Sequence, residues 1–281
     1  MRIKSFDDDS KGILYLVATP IGNLKDITFR ALEILKEVDK IYAEDTRTSK
    51  TLLSYYNIET KLESYHEFNQ ELKEDKIITE IENGMHIALI SDAGLPVISD
   101  PGYKIASALI KKGLRVSTIP GPSAGISALI KSGIAPMPYL FYGFLDAKEA
   151  KKKEELNELK YEKSTLVFYE APHRINKTLE AMLEVLGNRF ISIEREITKL
   201  HEEHIDGYIK DLIDLEYKGE IVIIVEGYKE DKIKDVNYIE QIDNLINKGY
   251  KLSLAVKEIS NMYNLNRNEL YKKYLDNKED N

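Results

Sequence analysis

The segment "GILYLVATPIGNLKDITFRALEIL", Gly12–Leu35, decides the fold, because it contains a strand, a loop and a helix in succession. Gly12–Thr19 is short, rich in Ile, Leu and Val, and bounded by Gly and Pro, as strands are. From Thr28 to Val38, apolar residues recur at helical spacing, which predicts an amphipathic helix. A strand that passes through a Gly/Pro loop into a helix is the repeating unit of α/β proteins with a parallel sheet.

Outward from this segment, the same alternation continues to about residue 226. The pattern predicts two α/β domains, residues 12–130 and 131–228, separated at the Gly- and Pro-containing segment Lys131–Pro138. Several strands of the second domain have room to pair antiparallel. The further predicted strands are Lys40–Glu44, His86–Ser91, Arg115–Ile119, Tyr139–Phe144, Ser164–Glu170, Phe190–Glu196 and Glu220–Val225, and the further predicted helices are Asn69–Asn83, Glu149–Lys160 and Pro172–Leu186.

Residues 229–281 differ in kind, since they are polar and helical and show no strand pattern. They hold 10 Lys or Arg and 10 Asp or Glu residues, so their net charge is zero. The pattern predicts a helical module with two last helices joined near Asn264–Asn266. Although the layout resembles a helix-turn-helix, DNA readers need a basic face for phosphate contacts, so we expect a packing or docking module.

Composition narrows the classes of function. The 281 residues include no Cys, which excludes disulfides, thiolate metal ligands and a Cys nucleophile, and agrees with a reducing compartment. No stretch approaches the ~18 apolar residues of a membrane span, so we expect a soluble, cytoplasmic protein without a membrane partner. The net charge of −8 disfavours a broad basic surface for naked nucleic acid and favours a small-molecule ligand.

Three Gly/Pro-rich loops follow predicted strands: Thr19–Leu24 (TPIGNL), Ser91–Gly102 (SDAGLPVISDPG) and Ile119–Gly125 (IPGPSAG). Since ligands of open α/β sheets bind at the carboxyl ends of strands, the three loops predict one shared cleft. Neither GxGxxG nor a Gly-Lys pair occurs, which excludes an ordinary dinucleotide turn and a P-loop. Loops of this composition suit an adenosyl group better than a triphosphate. The alternative is that Gly and Pro only turn each strand into its helix.

Eight ordered motifs resemble those of the small-subunit ribosomal RNA cytidine-2′-O-methyltransferases, a family within the tetrapyrrole methylase superfamily. "PIGNL" and "FYEAPHR" distinguish this family from relatives that methylate porphyrins or make diphthamide precursors. The resemblance runs from about Gly12 to the C-terminus. The motifs are "LVATPIGNLKDITFRALEIL", "AEDTRTSKTLL", "SDAGLPVISDPGYKI", "PGPSA", "YGFL", "VFYEAPHRI", "REITKLHEE" and "KGEIVIIVEG".

The resemblance implies S-adenosylmethionine as the methyl donor, bound in a cleft between two α/β domains of a homodimer. It implies a cytidine ribose in the decoding region of 16S rRNA, within the small ribosomal subunit, as the acceptor, and no DNA. One departure is visible, because the family usually has Thr where this chain has Leu95. Carried over position by position, the cofactor-binding residues are Pro20, Gly22, Ser91, Asp92, Ala93, Gly94, Pro96, Pro120, Gly121, Pro122, Ser123, Gly143, Phe144 and Tyr169.

Methyl transfer to a ribose also needs a group that takes the 2′-hydroxyl proton. Asp45 and Glu170 are our first choices for catalysis. Helix capping or loop bracing is the alternative role for each candidate acid, and Asp45 and Asp100 both precede predicted helices. Further candidates are Glu44, Asp100 and His173. Guanidinium and ammonium groups near the cleft are candidates for RNA phosphates, with a solvated helix face as the alternative for the lysines. These RNA-binding candidates are Arg47, Arg174, Lys151 and Lys152.

Three functions stay open at this stage. The first is the ribose methyltransferase, the second is a methylase of the same fold acting on a small tetrapyrrole-like substrate, and the third is a non-enzymatic adaptor that binds nucleic acid through its helical tail. The second predicts methyl transfer without ribosomal subunits. The third predicts no binding of S-adenosylmethionine.

Overall fold

The computed structural model describes residues 11–66, 68–230, 237–263 and 265–279. The chain divides into two compact units, one up to Tyr228 and one from Lys229. The N-terminal segment 1–10 and Asn264, at the predicted helix junction, lie outside the described residues. No helix among the described residues is both long and apolar enough to cross a membrane.

The first unit begins with a five-stranded, fully parallel sheet in the order β3-β2-β4-β1-β5. Two central strands, with the sequences ILYLV and IALI, read as continuous apolar runs because helices cover both faces. The apolar residues of β1 alternate accordingly between two cores, with Ile13 and Val17 in one and Leu14 in the other. The strands are β1 (Ile13–Val17), β2 (Lys40–Ala43), β3 (Leu62–Ser64), β4 (Ile87–Ile90) and β5 (Arg115–Ile119).

Helices follow these strands as right-handed crossovers require. Thr28 is the N-cap of α1, since its Oγ1 accepts a hydrogen bond from Ala31 N at 3.1 Å. Asp45 caps α2 in the same way. The helices are α1 (Phe29–Glu37), α2 (Thr46–Tyr55), α3 (Gln70–Glu82), α4 (Tyr103–Lys111) and α5 (Ala124–Lys131), with a 3₁₀ turn at Leu24–Asp26.

A second five-stranded sheet has the order β6-β7-β10-β8-β9. β6 and β7 are parallel and the remaining pairs are antiparallel, which confirms the mixed pairing expected for this half. The strands are β6 (Tyr139–Phe144), β7 (Thr165–Glu170), β8 (Phe190–Arg195), β9 (Glu203–Tyr208) and β10 (Ile221–Val225), and the helices are α6 (Glu149–Glu158), α7 (Ile175–Leu186) and α8 (Ile209–Leu212). The short strands β3 and β9 were not predicted.

Helix α5 follows the first sheet and packs on the second. Ala128 and Leu129 are buried against Val167 of β7 and against Val222 and Ile224 of β10. This apolar contact holds the two sheets together at the end where the predicted cofactor loops emerge. The fold is therefore α/β, with two sheets in one compact unit.

The second unit consists, in the described residues, of α9 (Tyr238–Asn247), α10 (Leu252–Met262) and α11 (Arg267–Glu279) around a small core that includes Ile242, Val256 and Leu270. The Asn266 side chain caps α11, because its Oδ1 accepts from Asn268 N at 3.0 Å. The Asn266 side-chain amide also lies 3.5 Å from Glu269 Oε1 in the first turn of α11.

Candidate functional site

The three Gly/Pro loops meet at the carboxyl ends of three adjacent parallel strands, because β1 lies between β4 and β5. Thr19 and Gly94 form an isolated antiparallel bridge, with N···O distances of 2.8 and 3.1 Å. Thr19 Oγ1 also donates to Ser91 O at 3.1 Å. The first and second loops are therefore joined by two backbone hydrogen bonds and by the side chain of Thr19.

Close backbone approach brings the third loop into contact with the first. A Cβ atom on Gly121 would lie 2.8 Å from Ala18 Cβ, so this position excludes any larger residue. Gly94 is similarly close, since its Cβ would lie 3.3 Å from Ile21 Cγ2 and 3.5 Å from Pro122 O. The glycines of these loops serve packing between loops as well as turn formation.

The second sheet closes the site from the other side. Tyr169, at the end of β7, accepts a hydrogen bond from Gly125 N at 3.2 Å. Its ring stacks edge-on with Phe141 and Phe144, at centroid distances of 5.1 and 5.5 Å. Gly143, in the irregular part of β6, has a backbone φ of +84° and approaches Ser99 of the second loop.

Between the two sheets lies a cavity of about 420 Å³. This volume falls within the range of small-molecule sites. Both halves of the first unit contribute, as do all three Gly/Pro loops. The lining residues are Ile21, Ala93, Gly94, Leu95, Ile98, Ser99, Asp100, Ser123, Ala124, Phe144, Tyr169, Glu170, Ala171, Pro172, Glu194, Ile197, Gly219, Glu220, Ile221 and Val222.

The electrostatic character of the cavity restricts its ligand. Among the lining residues that the structure describes, four are acidic and none is Lys, Arg or His. Glu170, Glu194 and Glu220 pair with Arg174, Lys131 and Lys199 behind the lining. The described lining itself still presents carboxylates and no cation, which favours a cationic or zwitterionic ligand over a phosphate. The described residues also contain no group of three His, Cys, Asp or Glu side chains suited to a metal ion. The remaining lining is mainly apolar, as expected for a site that binds a flat ring.

Asp100 is the most perturbed carboxyl group of this cavity. Burial, together with the charge of Glu44 and a hydrogen bond with it, raises the pKa of Asp100 to about 7. Asp92 adds a smaller repulsion, and a hydrogen bond from Ser91 partly opposes the shift. The pKa of Glu44 is raised as well, first by burial and then by the charge of Asp92. A carboxyl group that titrates near neutral pH is suited to exchange a proton at that pH.

The second loop carries backbone strain beside Asp100. Val97 and Ser99 have φ angles of 79° and 65°, in the left-handed region. Such a conformation is unusual for any residue with a side chain and most of all for β-branched Val97. Strain of this kind concentrates at functional sites, where the surroundings hold the backbone in place.

Not all of the predicted cofactor residues line the cavity. Ala93, Gly94, Ser123, Phe144 and Tyr169 do so. The others lie beside lining residues or support the loops: Pro20 and Gly22 flank Ile21; Ser91, Asp92 and Pro96 belong to the second loop; Pro120, Gly121 and Pro122 lead to Ser123; and Gly143 precedes Phe144.

The two predicted catalytic carboxylates are already engaged by neighbouring groups. Asp45 accepts hydrogen bonds from Arg47 at its backbone N and guanidinium, and these lower the pKa of Asp45 to about 2, which makes it a weak base. Glu170 is almost completely buried; it accepts from Ala171 N at 2.8 Å and from Thr178 Oγ1 at 2.5 Å, and it pairs with Arg174. Capping and bracing therefore account for both side chains.

The predicted RNA-binding residues differ in accessibility. Arg47 and Lys151 are exposed, whereas Arg174 donates to Leu145 O at 2.7 Å and is largely engaged. Lys152 is only 3% exposed, and its Nζ donates to Thr178 Oγ1 at 2.8 Å. This packing turns the ammonium group of Lys152 away from solvent and does not favour a phosphate contact, so its RNA-binding role stays a prediction. Consecutive residues on a helix point in different directions, and here Lys152 faces the core.

Sequence reasoning missed the wall that the second sheet provides around β8 and β10. Glu194 and Ile197 lie at the end of β8, and Gly219, Glu220 and Ile221 lie at the start of β10. The motifs "REITKLHEE" and "KGEIVIIVEG" contain four of these residues, and Glu194 directly precedes the first motif, so a signal was present. The sequence did not reveal that β8 pairs antiparallel with β10, and this pairing brings the two motifs together.

Comparison with known proteins agrees with this geometry. Residues 13–213 match the family model described as tetrapyrrole (corrin/porphyrin) methylases. A uroporphyrin-III-C-methyltransferase from Thermus thermophilus has a similar fold, with a TM-score of 0.54, 19% identity, and coverage of 76% of this chain and 94% of that chain. A diphthine synthase gives a TM-score of 0.58 at 12% identity, with coverage of 76% and 89%. At these identities the likeness concerns the fold.

Curated relatives match over nearly the whole length. A protein of Bacillus subtilis named ribosomal RNA small subunit methyltransferase I is 45% identical, over 97% of this chain and 98% of its own. A protein of the same name from Haemophilus influenzae is 43% identical, over 94% and 96%. Since both the three-loop cavity and these matches extend over the two sheets, the chain belongs to the tetrapyrrole methylase family and, within it, to the ribosomal RNA small subunit methyltransferases I.

Proposed function

We propose that this protein transfers a methyl group from S-adenosylmethionine to the ribose 2′-oxygen of a cytidine in the decoding region of 16S rRNA. The observation that carries the proposal is the cavity enclosed by three Gly/Pro loops, whose described lining residues include four acids and no Lys, Arg or His, in a chain that belongs to this family. The acceptor, a ribose within the assembled small subunit, is what the sequence motifs imply. Such a substrate corresponds to a cytoplasmic enzyme.

The cavity suits S-adenosylmethionine, which supplies an electrophilic methyl group on a positively charged sulfur. Apolar side chains on both walls, among them Ile21, Leu95 and Ile197, offer contact area for the adenine ring. Ala93 and Ser123 line the cavity, and their backbone groups are the proposed hydrogen-bonding partners of the adenosyl and amino-acid parts. The carboxylates of the lining favour the cationic sulfonium and ammonium groups.

Asp100 is the proposed proton acceptor. It lines the cavity, and its pKa of about 7 makes it a better base at neutral pH than an ordinary carboxylate. In the ionised form it accepts the proton of the 2′-hydroxyl, and Glu44 shares that proton through their hydrogen bond. The loops position the acceptor oxygen in line with the methyl group, and this alignment supplies much of the rate. Asp45 and Glu170 keep the capping and bracing roles described above.

The acidic cavity also limits which part of the RNA enters it. Phosphates are repelled from the lining, so the proposal places one ribose inside and the phosphate chain outside. Exposed Arg47 and Lys151 are the proposed phosphate contacts. Recognition of an assembled subunit by shape and local contacts removes the need for a broadly basic surface.

We extend the proposal to a homodimer and to the domain division 12–130, 131–228 and 229–281. An apolar strip on α5 supports the homodimer, because Ile126 and Ile130 are one helical turn apart and exposed, with Met137 exposed beyond them. Leu129, by contrast, faces the core. A second copy of this chain would remove the strip from water.

The proposal is tested with radiolabelled S-adenosylmethionine and small subunits that lack the modification. We expect label on one ribose 2′-oxygen, located by nuclease digestion and mass spectrometry of the nucleosides. Subunits, free 16S rRNA and a porphyrinogen are offered in parallel. Label on a base, or on no RNA, would contradict the proposal; transfer to the porphyrinogen would favour the small-substrate methylase; and absence of cofactor binding would favour the adaptor.

A further inference from the structure

The loop Glu196–Glu202, which joins β8 to β9 and is called here the hairpin loop, has an unusual backbone. Glu196 and Thr198 have φ angles of 51° and 69°, in the left-handed region, although neither is Gly. Such angles persist only where surrounding contacts hold them. Leu200, at the tip, is 93% exposed, so the tip itself has little support. The contacts that hold the hairpin loop must come from its other residues.

Part of the support comes from the second sheet. Glu196 Oε1 accepts hydrogen bonds from Glu220 N and from Lys199 Nζ, both at 2.9 Å. Lys199 Nζ also lies 3.0 Å from Glu220 Oε2. A Cβ on Gly219 would lie 2.4 Å from Glu196 Cδ and would displace that side chain, and the backbone φ of +79° also favours Gly there. Burial lowers the pKa of Lys199, but its two carboxylate partners outweigh this and raise it overall, so the ammonium group stays charged.

The remaining support comes from the first Gly/Pro loop. A Cβ on Gly22 would lie 2.6 Å from both Cγ and Cε of Lys199, so the lysine stem lies directly across the Gly22 backbone. Thr198 Oγ1 donates a hydrogen bond to Asp26 Oδ2. Two consecutive residues of the hairpin loop therefore contact the segment 22–26, across the boundary between the two sheets.

These contacts adjoin the cavity on both walls. Ile21, next to Gly22, lines the cavity and packs on Gly94 of the second loop. Ile197, next to Thr198, lines the cavity from the second sheet. The stem of Lys199 thus connects the backbone beside one lining residue to the backbone beside the other. A displacement of that stem changes the distance between the two walls.

We propose that Lys199 is a positioning residue that holds the first Gly/Pro loop against the cavity and thereby sets the affinity for the methyl donor. Its stem is the element in contact with Gly22, and Glu196 and Glu220 keep that stem extended by binding its ammonium group. The identity of the ligand rests on the proposed function. The contact between Lys199 and the first loop does not depend on the identity of the ligand.

Lys199→Ala removes both the stem and the charge, whereas Lys199→Met keeps an unbranched apolar stem. We expect Lys199→Ala to raise the Kd for S-adenosylmethionine on the order of tenfold, since several buried methylene groups are lost beside the pocket wall. Lys199→Met is expected to recover most of that loss. Exchange of backbone amide hydrogens in a peptide covering residues 18–27 should become faster in Lys199→Ala in the absence of any ligand.

Lys153 provides a matched control. Its side chain is 29% exposed, against 25% for Lys199, and it also pairs with two carboxylates, Glu149 and Glu184. It lies on α6, which contributes no lining residue to the cavity. Lys153→Ala should therefore leave both the Kd and the exchange of residues 18–27 unchanged.

The experiment combines isothermal titration of the full-length protein with hydrogen exchange measured by mass spectrometry. Unchanged exchange of residues 18–27 in Lys199→Ala would overturn the inference, and so would faster exchange with an unchanged Kd. If Lys199→Ala does not fold, Lys199→Val, which removes Cδ, Cε and the ammonium group, carries the same test with a smaller expected change, and unchanged exchange of residues 18–27 overturns the inference there too. Failure of the wild-type protein to bind S-adenosylmethionine would refute the proposed function itself. The exchange data need no ligand, so they would still show whether Lys199 holds the first Gly/Pro loop.

A second measurement tests the contact directly. Gly22→Ala strains the backbone, because φ at this position is +144°, and the added Cβ also collides with the Lys199 stem. In the Lys199→Ala background the collision is absent, so Gly22→Ala should raise the Kd less than it does in the wild type. Additive effects of the two substitutions would contradict the contact.

Discussion

The pH dependence of methyl transfer offers the sharpest test of the proposed base, and Glu44→Gln is the perturbation. In the wild type, burial and the neighbouring Glu44 raise the pKa of Asp100 to about 7. Asp100 accepts a proton only when ionised, so the rate falls as the pH drops below that value. At pH 6 about one tenth of the molecules carry ionised Asp100, and the rate should be about one tenth of its plateau.

Replacing Glu44 by Gln removes a negative charge next to Asp100, so ionisation becomes easier and the pKa of Asp100 falls. The acid limb then moves to lower pH, and the relative rate at pH 6 should rise from about one tenth to roughly one half or more of the plateau. The plateau itself should fall if Glu44 helps to hold the proton. The direction of the shift is the decisive quantity.

The assay is single-turnover methyl transfer to small subunits between pH 5.5 and 8.5 at constant ionic strength. Glu71→Gln is the control, since it removes a carboxylate that is not among the groups acting on Asp100, Glu44 or Asp92. Asp100→Asn should lower the rate and abolish the acid limb. An acid limb that stays in place in Glu44→Gln, or full activity of Asp100→Asn, would refute the assignment of Asp100 as the base.

Three further predictions concern the pocket, the subunit contact and the dimer. Leu95→Thr restores the hydroxyl group usual in the family and should tighten cofactor binding by about 1 kcal/mol, measured by titration calorimetry; weaker binding would show that the apolar contact of Leu95 matters more. Lys151→Met should weaken binding to small subunits and reduce the salt dependence of that binding without changing Tm. Lys152→Met should lower Tm and leave the salt dependence unchanged, since Lys152 is buried. Identical behaviour of the two variants would contradict this division. Ile130→Glu should convert a dimer into monomers, as measured by light scattering, and an unchanged mass would place the dimer contact elsewhere. The neighbouring Lys131→Glu is not a suitable control, because Lys131 pairs with Glu194.

Local patterns predicted most of the secondary structure because each pattern depends on near neighbours. The strand and helix segments of the two sheets agree with the structure within a few residues, as at Arg115–Ile119 and Tyr139–Phe144. The convergence of the three Gly/Pro loops followed from the rule for parallel sheets, and β1 does lie between β4 and β5. Strand β3, with three residues, carried too little pattern to be recognised.

The roles of charged side chains were predicted less well, because they depend on partners far away in sequence. Lys152 and Lys151 are adjacent and chemically identical, yet one is buried on Thr178 and the other is exposed. Asp45 and Asp100 both follow strands of the same sheet. Arg47 lowers the pKa of the first, whereas burial beside Glu44 raises that of the second.

The sequence by itself determined the α/β class, the strand-end loops and the family to which the chain belongs, since these depend on periodicity and on motifs of consecutive residues. Only the tertiary structure decided which carboxyl group is suited to accept a proton and which lysine supports the cavity wall. The first depends on burial next to Glu44, and the second on the contact of Lys199 with Gly22, 177 positions away along the numbering (199 − 22). Proximity of this kind arises from the packing of the two sheets, and packing is a property of the whole folded chain.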